Sequence, residues 1–399
     1  MNADIKSRLN PVVTSMPPSG IRKLFDIAQT MEDVISLGIG EPDFITPWHI
    51  RNAGIESLDS GKTQYSANAG MPELKREISN YMQRRFNLTY EPQKQVIVTV
   101  GGSEAIDLCI RATVCPGDEV IVPVPSFVCY GPMVTLAGGV PIYLDLKAED
   151  NFRLTAEGLC KAITPKTKLL ILPFPNNPTG SIMEKHDLEA IAEVLKDTDI
   201  FVLSDEIYAE LNYSDTRHVS IAEIDGMYER TIVASGFSKC YAMTGWRLGY
   251  ACGHPDVIKQ MLKIHQYAVM CAPTTSQYAA IEALRNGDED IEYMKREYNY
   301  RRKLIVNGFN KLGMDCFEPL GAFYCFPSIK SAAAHIREKY GVKCDTSEEF
   351  ANFVLEKAHI AVVPGTAFGA CGEGFLRISY AYSVDHIKKA LERIGELLK

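Results

Sequence analysis

The chain has 399 residues, which exceeds the size at which one hydrophobic core stops growing, so we expect two domains. Hydrophobic residues make up 46% and charged residues 23% of the chain, an ordinary composition for a globular protein. The net charge of −8 argues against nucleic acid as the main partner, because phosphate backbones are bound by basic surfaces.

The 11 cysteines form no CxxC pair and show no spacing typical of zinc ligands, so we expect neither a metal cluster nor a disulfide framework. Their scatter fits a reducing cytoplasm. The N-terminal residues contain no apolar signal core, and no apolar stretch is long enough to cross a bilayer. We therefore expect a cytoplasmic protein that binds neither nucleic acid nor membrane.

Residues 1–47 are expected to be irregular, apart from a short amphipathic helix over IRKLFDIAQTM at 21–31. The stretch SLGIGEPDF (36–44) lacks the third glycine of a dinucleotide-binding fingerprint, and no helix follows it directly. A tight turn whose backbone lies close to a ligand is the better explanation of Gly38 and Gly40.

Strands and helices alternate between about residue 48 and residue 290. The predicted strands are nearly continuous apolar runs, as expected where helices cover both faces of a mostly parallel sheet. They lie at 95–100, 119–125, 140–146, 168–175, 200–206, 231–237 and 248–253. Helices are predicted over SEAIDLCIRATV, KHDLEAIAEVLK and DVIKQMLKIHQYAVM. This pattern predicts an α/β domain with a seven-stranded sheet flanked by helices.

The pattern changes at about residue 291 to a long charged helix followed by a smaller α+β region. Its predicted strands are GAFYCFPSI, HIAVVP and FLRISYA, and its predicted helices are TSEEFANFVLEKA and DHIKKALERIGELLK. Thr346 and Glu349 have the spacing of a capping box. We expect residues 48–290 to form a large domain, and residues 1–47 and 291–399 to form a small one.

One lysine, Lys239, lies between the end of a predicted strand and the start of the next, in SGFSKCYAMTGWRLGY (235–250). In open α/β sheets ligands bind at such strand ends. A lysine there can attack a carbonyl with its amine and form a Schiff base. A solvated surface lysine is the alternative that this residue alone leaves open.

A possible phosphate site follows the first predicted strand of the sheet. Gly101 and Gly102 lead into a helix that begins near Ser103, so free N–H groups and the helix dipole favour an anion there. A plain helix N-cap is one alternative. A hydrolase nucleophile elbow is another, although its final glycine is missing.

Three more polar residues lie at strand ends. Asn177, in PNNPTG (175–180), either contacts a ligand or serves the turn. Asp205 ends an apolar run, so its carboxylate needs a cationic ligand or a salt bridge to offset burial. Tyr208 is three residues further on and could reach the same site.

Two arginines complete the set of candidate residues. Arg247 offers a rigid fork suited to phosphate or carboxylate, and Arg377 interrupts an apolar strand and therefore needs an anionic partner. A phosphorylated aldehyde cofactor attached to Lys239 would use all of these groups. The turn at 101–103 and Arg247 would hold its phosphate, and Asp205 would keep its ring nitrogen protonated. Tyr208 and Asn177 would contact the ring hydroxyl, while Arg377 would bind the carboxylate of an amino acid.

Three motifs, SKCYAMTGWRLGY, PNNPTG and SDEIY, resemble those of the class I/II aminotransferases, which are pyridoxal 5'-phosphate (PLP) enzymes of fold type I. The resemblance covers nearly the whole chain. It implies that Lys239 is the cofactor lysine and the base that moves the α-proton. It also implies that Phe127 stacks on the cofactor ring and that the turn at Ile39 and Gly40 closes over the substrate. By the same resemblance, Tyr65 reaches the phosphate of the neighbouring subunit, which implies a homodimer with shared sites.

The sequence departs from the family pattern at two places. Many relatives have a serine three residues before the lysine as a phosphate ligand, and this chain has Gly236 there. Either Ser235 or Ser238 takes its place, or one hydrogen bond is lost. Dicarboxylate-specific relatives supply an arginine from the second subunit near a loop like CAPTTS, where this chain has His265, Gln266 and Tyr267. This leaves room for neutral or aromatic donors besides aspartate.

The resemblance implies a transaminase of amino-acid metabolism that exchanges an amino group between an L-amino acid and a 2-oxo acid such as 2-oxoglutarate. The exchange would use a Schiff base at Lys239 and the pyridoxamine form of the cofactor. A β-eliminating carbon–sulfur lyase on the same fold is the alternative. A regulator without enzymatic activity is not favoured, because the chain has no basic N-terminal module for DNA.

Overall fold

The computed structural model describes residues 5–17, 31 and 33–399. A short helix at Pro11–Ser15 (α1) and a two-residue strand at Ile35–Ser36 (β1) lie in the N-terminal part. Apart from Met31, the amphipathic helix predicted at 21–31 falls outside the described residues. Short 3₁₀ turns occur at Ile5–Arg8, Ala148–Asp150, Ile221–Glu223, Tyr228–Arg230, Gly365–Phe368 and Ala370–Gly372.

Three helices precede the large sheet. They are Trp48–Asp59 (α2), Pro72–Phe86 (α3) and Pro92–Gln95 (α4), so the alternation of strands and helices begins only at residue 96. One face of α3 is buried against the sheet: Leu74 and Ile78 belong to the same apolar cluster as Val98. This spacing of four residues places the two side chains on one face of a helix.

All seven predicted strands form one sheet, whose order is β2-β8-β7-β6-β5-β3-β4. Only β8 runs antiparallel to its neighbours, so the sheet is mostly parallel. The bounds are Val96–Thr99 (β2), Glu119–Val124 (β3), Val140–Asp145 (β4), Thr167–Leu172 (β5), Phe201–Asp205 (β6), Thr231–Gly236 (β7) and Gly249–Cys252 (β8).

Helices cover both faces of this sheet, which explains the continuous apolar runs. Val96 and Val98 pack on one face, and Ile97 packs on the other. The helices that follow β2 in sequence are Gly102–Thr113 (α5), Tyr130–Leu136 (α6), Ala156–Ala162 (α7), Lys185–Leu195 (α8), Pro255–Ala268 (α9) and Thr274–Asn286 (α10).

The C-terminal part contains the predicted long helix and two small sheets. Its helices are Asp288–Lys311 (α11), Lys330–Tyr340 (α12), Ser347–Ala358 (α13) and Val384–Leu397 (α14). Its strands are Tyr324–Cys325 (β9), Ile360–Ala361 (β10), Val363–Pro364 (β11) and Leu376–Ser379 (β12). The capping box predicted at Thr346 and Glu349 is confirmed.

The three strands β11, β12 and β9 form an antiparallel sheet, and β10 pairs in parallel with β1. The N-terminal segment therefore packs with the C-terminal part of the chain. Among the described residues, no helix combines the length and the apolar character that crossing a membrane requires.

Candidate active site

A cavity of about 530 Å³ opens at the carboxyl ends of β5, β6 and β7. This is the position at which open α/β sheets bind ligands. The start of α5, the loop that follows β1 and the strand β12 also contribute to its wall. The predicted site residues that line it are Ile39, Gly40, Gly102, Ser103, Phe127, Asn177, Asp205, Tyr208, Ser238, Lys239, Arg247 and Arg377. Gly101 and Tyr65 are not part of the lining.

Lys239 lies just after β7, and its side chain lies partly buried in this cavity. Its Nζ donates a hydrogen bond of 2.6 Å to the carbonyl oxygen of Gly40. Burial lowers the pKa of Lys239 to about 8, because a charged amine is costly away from water. The positive charges of Arg377 and Arg247 lower this pKa further. A lysine with such a pKa supplies free amine close to neutral pH.

Asp205 is the last residue of β6 and is buried. Its Oδ2 accepts a 2.7 Å hydrogen bond from the Tyr130 hydroxyl, and its Oδ1 accepts one of 3.2 Å from the backbone N–H of Ile207. Burial nevertheless raises the pKa of Asp205 above the usual range of a carboxyl. Within the described chain it has no ion-pair partner, so no salt bridge explains its position. Its environment suits a cationic ligand.

The strand-to-helix turn at 101–103 is closely packed against Arg247. Gly101 has a φ of 80°, and a Cβ there would lie 2.6 Å from Nη2 of Arg247. The absence of a side chain at Gly101 therefore lets the Arg247 guanidinium lie against the turn. The first residues of α5, Gly102 and Ser103, face the cavity. Their position at a helix N-terminus, beside an arginine, suits a phosphate group.

Close packing of two strands explains why this chain has Gly236 where many relatives have a serine. A Cβ at this position would lie 2.9 Å from Cα of Gly249 on the neighbouring strand β8. A serine there would force β7 and β8 apart. Of the two candidate substitutes, Ser238 lines the cavity, whereas Ser235 donates to the carbonyl oxygen of Glu206 at 3.3 Å.

Arg377 is 4% exposed and has no ion-pair partner in the part of the chain that the structure describes. Its Nη1 donates to Oδ1 of Asn177 at 3.0 Å, and its Nη2 donates to the carbonyl oxygen of Gly38 at 2.5 Å. Its guanidinium lies between the rings of Tyr324 and Phe368, at 4.7 and 4.8 Å from their centroids. A buried guanidinium of this kind calls for an anionic ligand.

Sequence analysis missed two tyrosines of the cavity. Tyr130 bonds Asp205, and Tyr324 bonds the hydroxyl of Tyr208 at 2.9 Å. Tyr130 is three residues after Phe127 on the same segment, a spacing that could have suggested it. Tyr324 lies in an apolar strand, where an aromatic residue is indistinguishable from a core residue.

The model of the family "aminotransferase class I and II" matches residues 32–394. The chain belongs to this family. A putative aminotransferase, YugH, of Bacillus subtilis is 51% identical over 98% of each chain. The aspartate aminotransferase of Pyrococcus abyssi is 45% identical over 96% of each chain. The crystal structure of the aspartate aminotransferase from Rhizobium meliloti is 37% identical, covers 98% of each chain and superposes with a TM-score of 0.93.

The protein is therefore a PLP-dependent aminotransferase of fold type I, as the resemblance implied. Nothing in these comparisons supports the β-eliminating lyase. The cavity fits this cofactor: a partly buried lysine with a lowered pKa can bind an aldehyde, a buried carboxylate can face a ring cation, and a helix N-terminus with an arginine can hold a phosphate.

Proposed function

We propose that this aminotransferase uses Lys239 both to bind the aldehyde of PLP and to move the α-proton of the substrate. The observation that carries this proposal is a pair of cations in one cavity, the partly buried Lys239 and the buried Arg377. Neither has an ion-pair partner among the described residues. The first has the pKa that a general base needs near neutral pH, and the second has the geometry that binds a carboxylate.

The cofactor side of the cavity would be held by residues at the strand ends. When bound, PLP supplies an electron sink for the charge that develops at the α-carbon. Gly101, Gly102, Ser103, Ser238 and Arg247 would hold its phosphate, with the amide groups at the start of α5 as donors. Asp205 would keep a proton on the ring nitrogen, Phe127 would stack on the ring, and Tyr208 and Asn177 would contact the ring hydroxyl.

The substrate side would be formed by Arg377, Asn177 and the turn at Ile39 and Gly40. Arg377 would bind the α-carboxylate through its fork, and its hydrogen bond to Asn177 fixes the orientation of that fork. Ile39 is 45% exposed at the mouth of the cavity, where it can cover a bound substrate and exclude water.

The charges of the cavity favour an aromatic or neutral amino donor. Among the described lining residues the cations are Lys239, Arg247 and Arg377, and each already has a proposed role. A second carboxylate, on an aspartate-like donor or on an acceptor such as 2-oxoglutarate, would need a further cation, which the partner subunit would have to supply. The expected reaction transfers an amino group from an aromatic or neutral L-amino acid to a 2-oxo acid, and aspartate-like donors and 2-oxoglutarate join the substrates where the partner supplies that cation.

A homodimer is also part of this proposal. Tyr65 is 80% exposed and lies outside the cavity of its own subunit, as expected of a residue that reaches the partner's phosphate. Tyr267, which is 88% exposed, and Met270 belong to a neighbouring segment, and Asn68 of the Tyr65 loop donates to the carbonyl oxygen of Met270. These exposed apolar side chains would be covered by a second copy of the chain.

Two further expectations belong to the same proposal. Residues 48–290 would form the large cofactor-binding domain, and residues 1–47 and 291–399 the small one, with the cavity between them. The cytoplasm is the proposed location, because the 11 cysteines are all free, which fits a reducing compartment. A role in amino-acid biosynthesis would follow from the reaction.

The experiment that tests the proposal is an absorbance titration of the PLP-loaded enzyme with single amino acids and no oxo acid. The long-wavelength band should disappear on addition of a donor and return on addition of 2-oxoglutarate. Comparing phenylalanine, alanine and aspartate ranks the donors. A band that persists while pyruvate or ammonia accumulates would instead indicate the lyase. A clear preference for aspartate would mean that a cation of the partner subunit binds the second carboxylate.

A further inference from the structure

His265, one of the residues at the departure from the family pattern, lies behind the proposed phosphate turn rather than at the substrate. It belongs to the last turn of α9 and is fully buried. Its Nδ1 lies 2.8 Å from Oε1 of Glu104. Its Nε2 has no hydrogen-bond partner in the described part of the chain. The contact with Glu104 is therefore the polar interaction that fixes this imidazole ring.

Glu104 connects this histidine to the turn itself. It lies in the first turn of α5, directly after Ser103, and its Oε2 accepts a 2.5 Å hydrogen bond from the backbone N–H of Val100. Val100 precedes the turn and Glu104 follows it. The carboxylate therefore clamps the two ends of the segment whose amide groups would bind phosphate.

His265 also offsets part of the negative charge of Glu104. A carboxylate so close to a bound phosphate would repel it, and the repulsion would be strong in a partly buried site. An N–H donated by Nδ1 of His265 draws the carboxylate toward α9 and offsets part of its charge. Removal of the imidazole would leave the carboxylate free to rotate and its charge less compensated.

The backbone of His265 is connected by hydrogen bonds to the loop that contains Tyr65. The carbonyl oxygen of His265 accepts hydrogen bonds from the backbone N–H groups of Val269 and Met270, at 2.9 and 3.1 Å. The carbonyl oxygen of Met270 in turn accepts from Asn68, at 2.8 Å. The same residue thus supports one phosphate turn and lies next to the loop proposed to serve the partner's phosphate.

We propose that His265, acting through Glu104, is a positioning residue that gives the enzyme its selectivity for the phosphorylated form of the cofactor. The inference rests on the proposed phosphate role of residues 101–103. It assigns a function to His265 that involves neither the substrate nor the reacting atoms.

The test compares the dissociation constants of PLP and of pyridoxal, which lacks the phosphate, for the cofactor-free full-length enzyme. His265→Ala should weaken PLP binding about tenfold, as loss of a residue that supports a ligand-binding group commonly does, and leave pyridoxal binding unchanged. His265→Asn keeps a donor near the position of Nδ1 and should restore much of the selectivity. His49→Ala is the matched control, because His49 also bonds two carboxylates, Glu282 and Asp290, but is not part of the cavity.

The outcomes separate this inference from the proposal on which it rests. If the wild-type enzyme does not discriminate between the two ligands, the phosphate role of the turn is wrong. If the wild type discriminates and His265→Ala does so equally well, the inference alone is wrong. Equal weakening of both ligands would mean a general structural role and would also overturn it. Should His265→Ala fail to fold, His265→Phe fills the same buried space with a ring that cannot donate to Glu104, and the same selective loss is expected.

Discussion

The two sides of the cavity are built in different ways. On the cofactor side, Asp205 ends β6, Lys239 follows the adjacent parallel strand β7, and a helix begins nearby at Gly102. On the substrate side, Arg377 comes from a small sheet more than a hundred residues away in sequence, and Gly38 comes from the N-terminal segment. The first side is fixed by a single sheet, whereas the second is assembled from separate segments.

The hydrogen bonds of the two sides differ accordingly. Asp205 is held within the region of the large sheet by Tyr130 and by the backbone of Ile207. Arg377 instead binds Asn177 of the large sheet region and the backbone of Gly38, so it connects segments that are far apart in the sequence. The bond from Lys239 to Gly40 links the two sides. We therefore expect changes on the cofactor side to affect chemistry and changes on the substrate side to affect binding.

The largest effect is expected for Lys239→Ala. Loss of the amine that binds the cofactor and moves the proton should lower kcat by about a thousandfold or more. The phosphate site should still retain PLP, which dialysis followed by absorbance can measure. Single-turnover kinetics with one amino acid provide the rate. Turnover at the wild-type rate would show that Lys239 is not the base.

Arg377→Ala tests the substrate side. Loss of the fork should raise KM for amino acids about a hundredfold, because truncating one partner of a buried charged pair is costly. The affinity for PLP should be unchanged. Arg377→Lys keeps the charge without the two parallel donors, and an intermediate KM is expected. Steady-state kinetics and a cofactor titration measure both quantities, and a parallel loss of substrate and cofactor affinity would identify a structural arginine.

The pH dependence of the rate of PLP binding tests the lowered pKa of Lys239 on the cofactor side. The pKa of Lys239 is lowered to about 8, so the free amine is the minor form below that pH and the major form above it. The rate at which the cofactor-free enzyme captures PLP should rise about tenfold per pH unit below pH 8 and level off above it. Stopped-flow absorbance between pH 6 and pH 10 measures this. A rise that continues to pH 10 would mean that burial does not lower this pKa.

The difference between the two sides also explains what could be predicted from sequence. Strand ends are visible as polar residues that follow apolar runs, so the amino-acid sequence alone places Lys239, Asp205 and Asn177 at one edge of the sheet. Contacts between remote segments leave no such pattern. Neither the bond between Arg377 and Gly38 nor the hydroxyl pair of Tyr208 and Tyr324 could be derived, because each depends on how separate segments pack.

Tyr130→Phe is expected to have the smallest effect and isolates one hydrogen bond of the cofactor side. The Tyr130 hydroxyl stabilises the charged form of Asp205, and this bond opposes the effect of burial on the pKa of Asp205. Without it that pKa should rise further, so less of the carboxylate is ionised at a given acidic pH. We expect kcat to fall about threefold to tenfold, since a hydrogen bond to a charged group contributes about 1.5–3 kcal/mol and the bond from Ile207, which Asp205 keeps, limits the loss.

The acid limb of the pH–rate profile of Tyr130→Phe should move to higher pH, because protonation of Asp205 would begin earlier as the pH falls. Tyr90→Phe is the matched control: its hydroxyl is buried and has no hydrogen-bond partner within the described residues, and it does not line the cavity. Its profile should coincide with that of the wild type. The ring of residue 130 and its packing against Phe127 are kept in Tyr130→Phe, so an unshifted acid limb would mean that the hydroxyl does not act through the charge of Asp205.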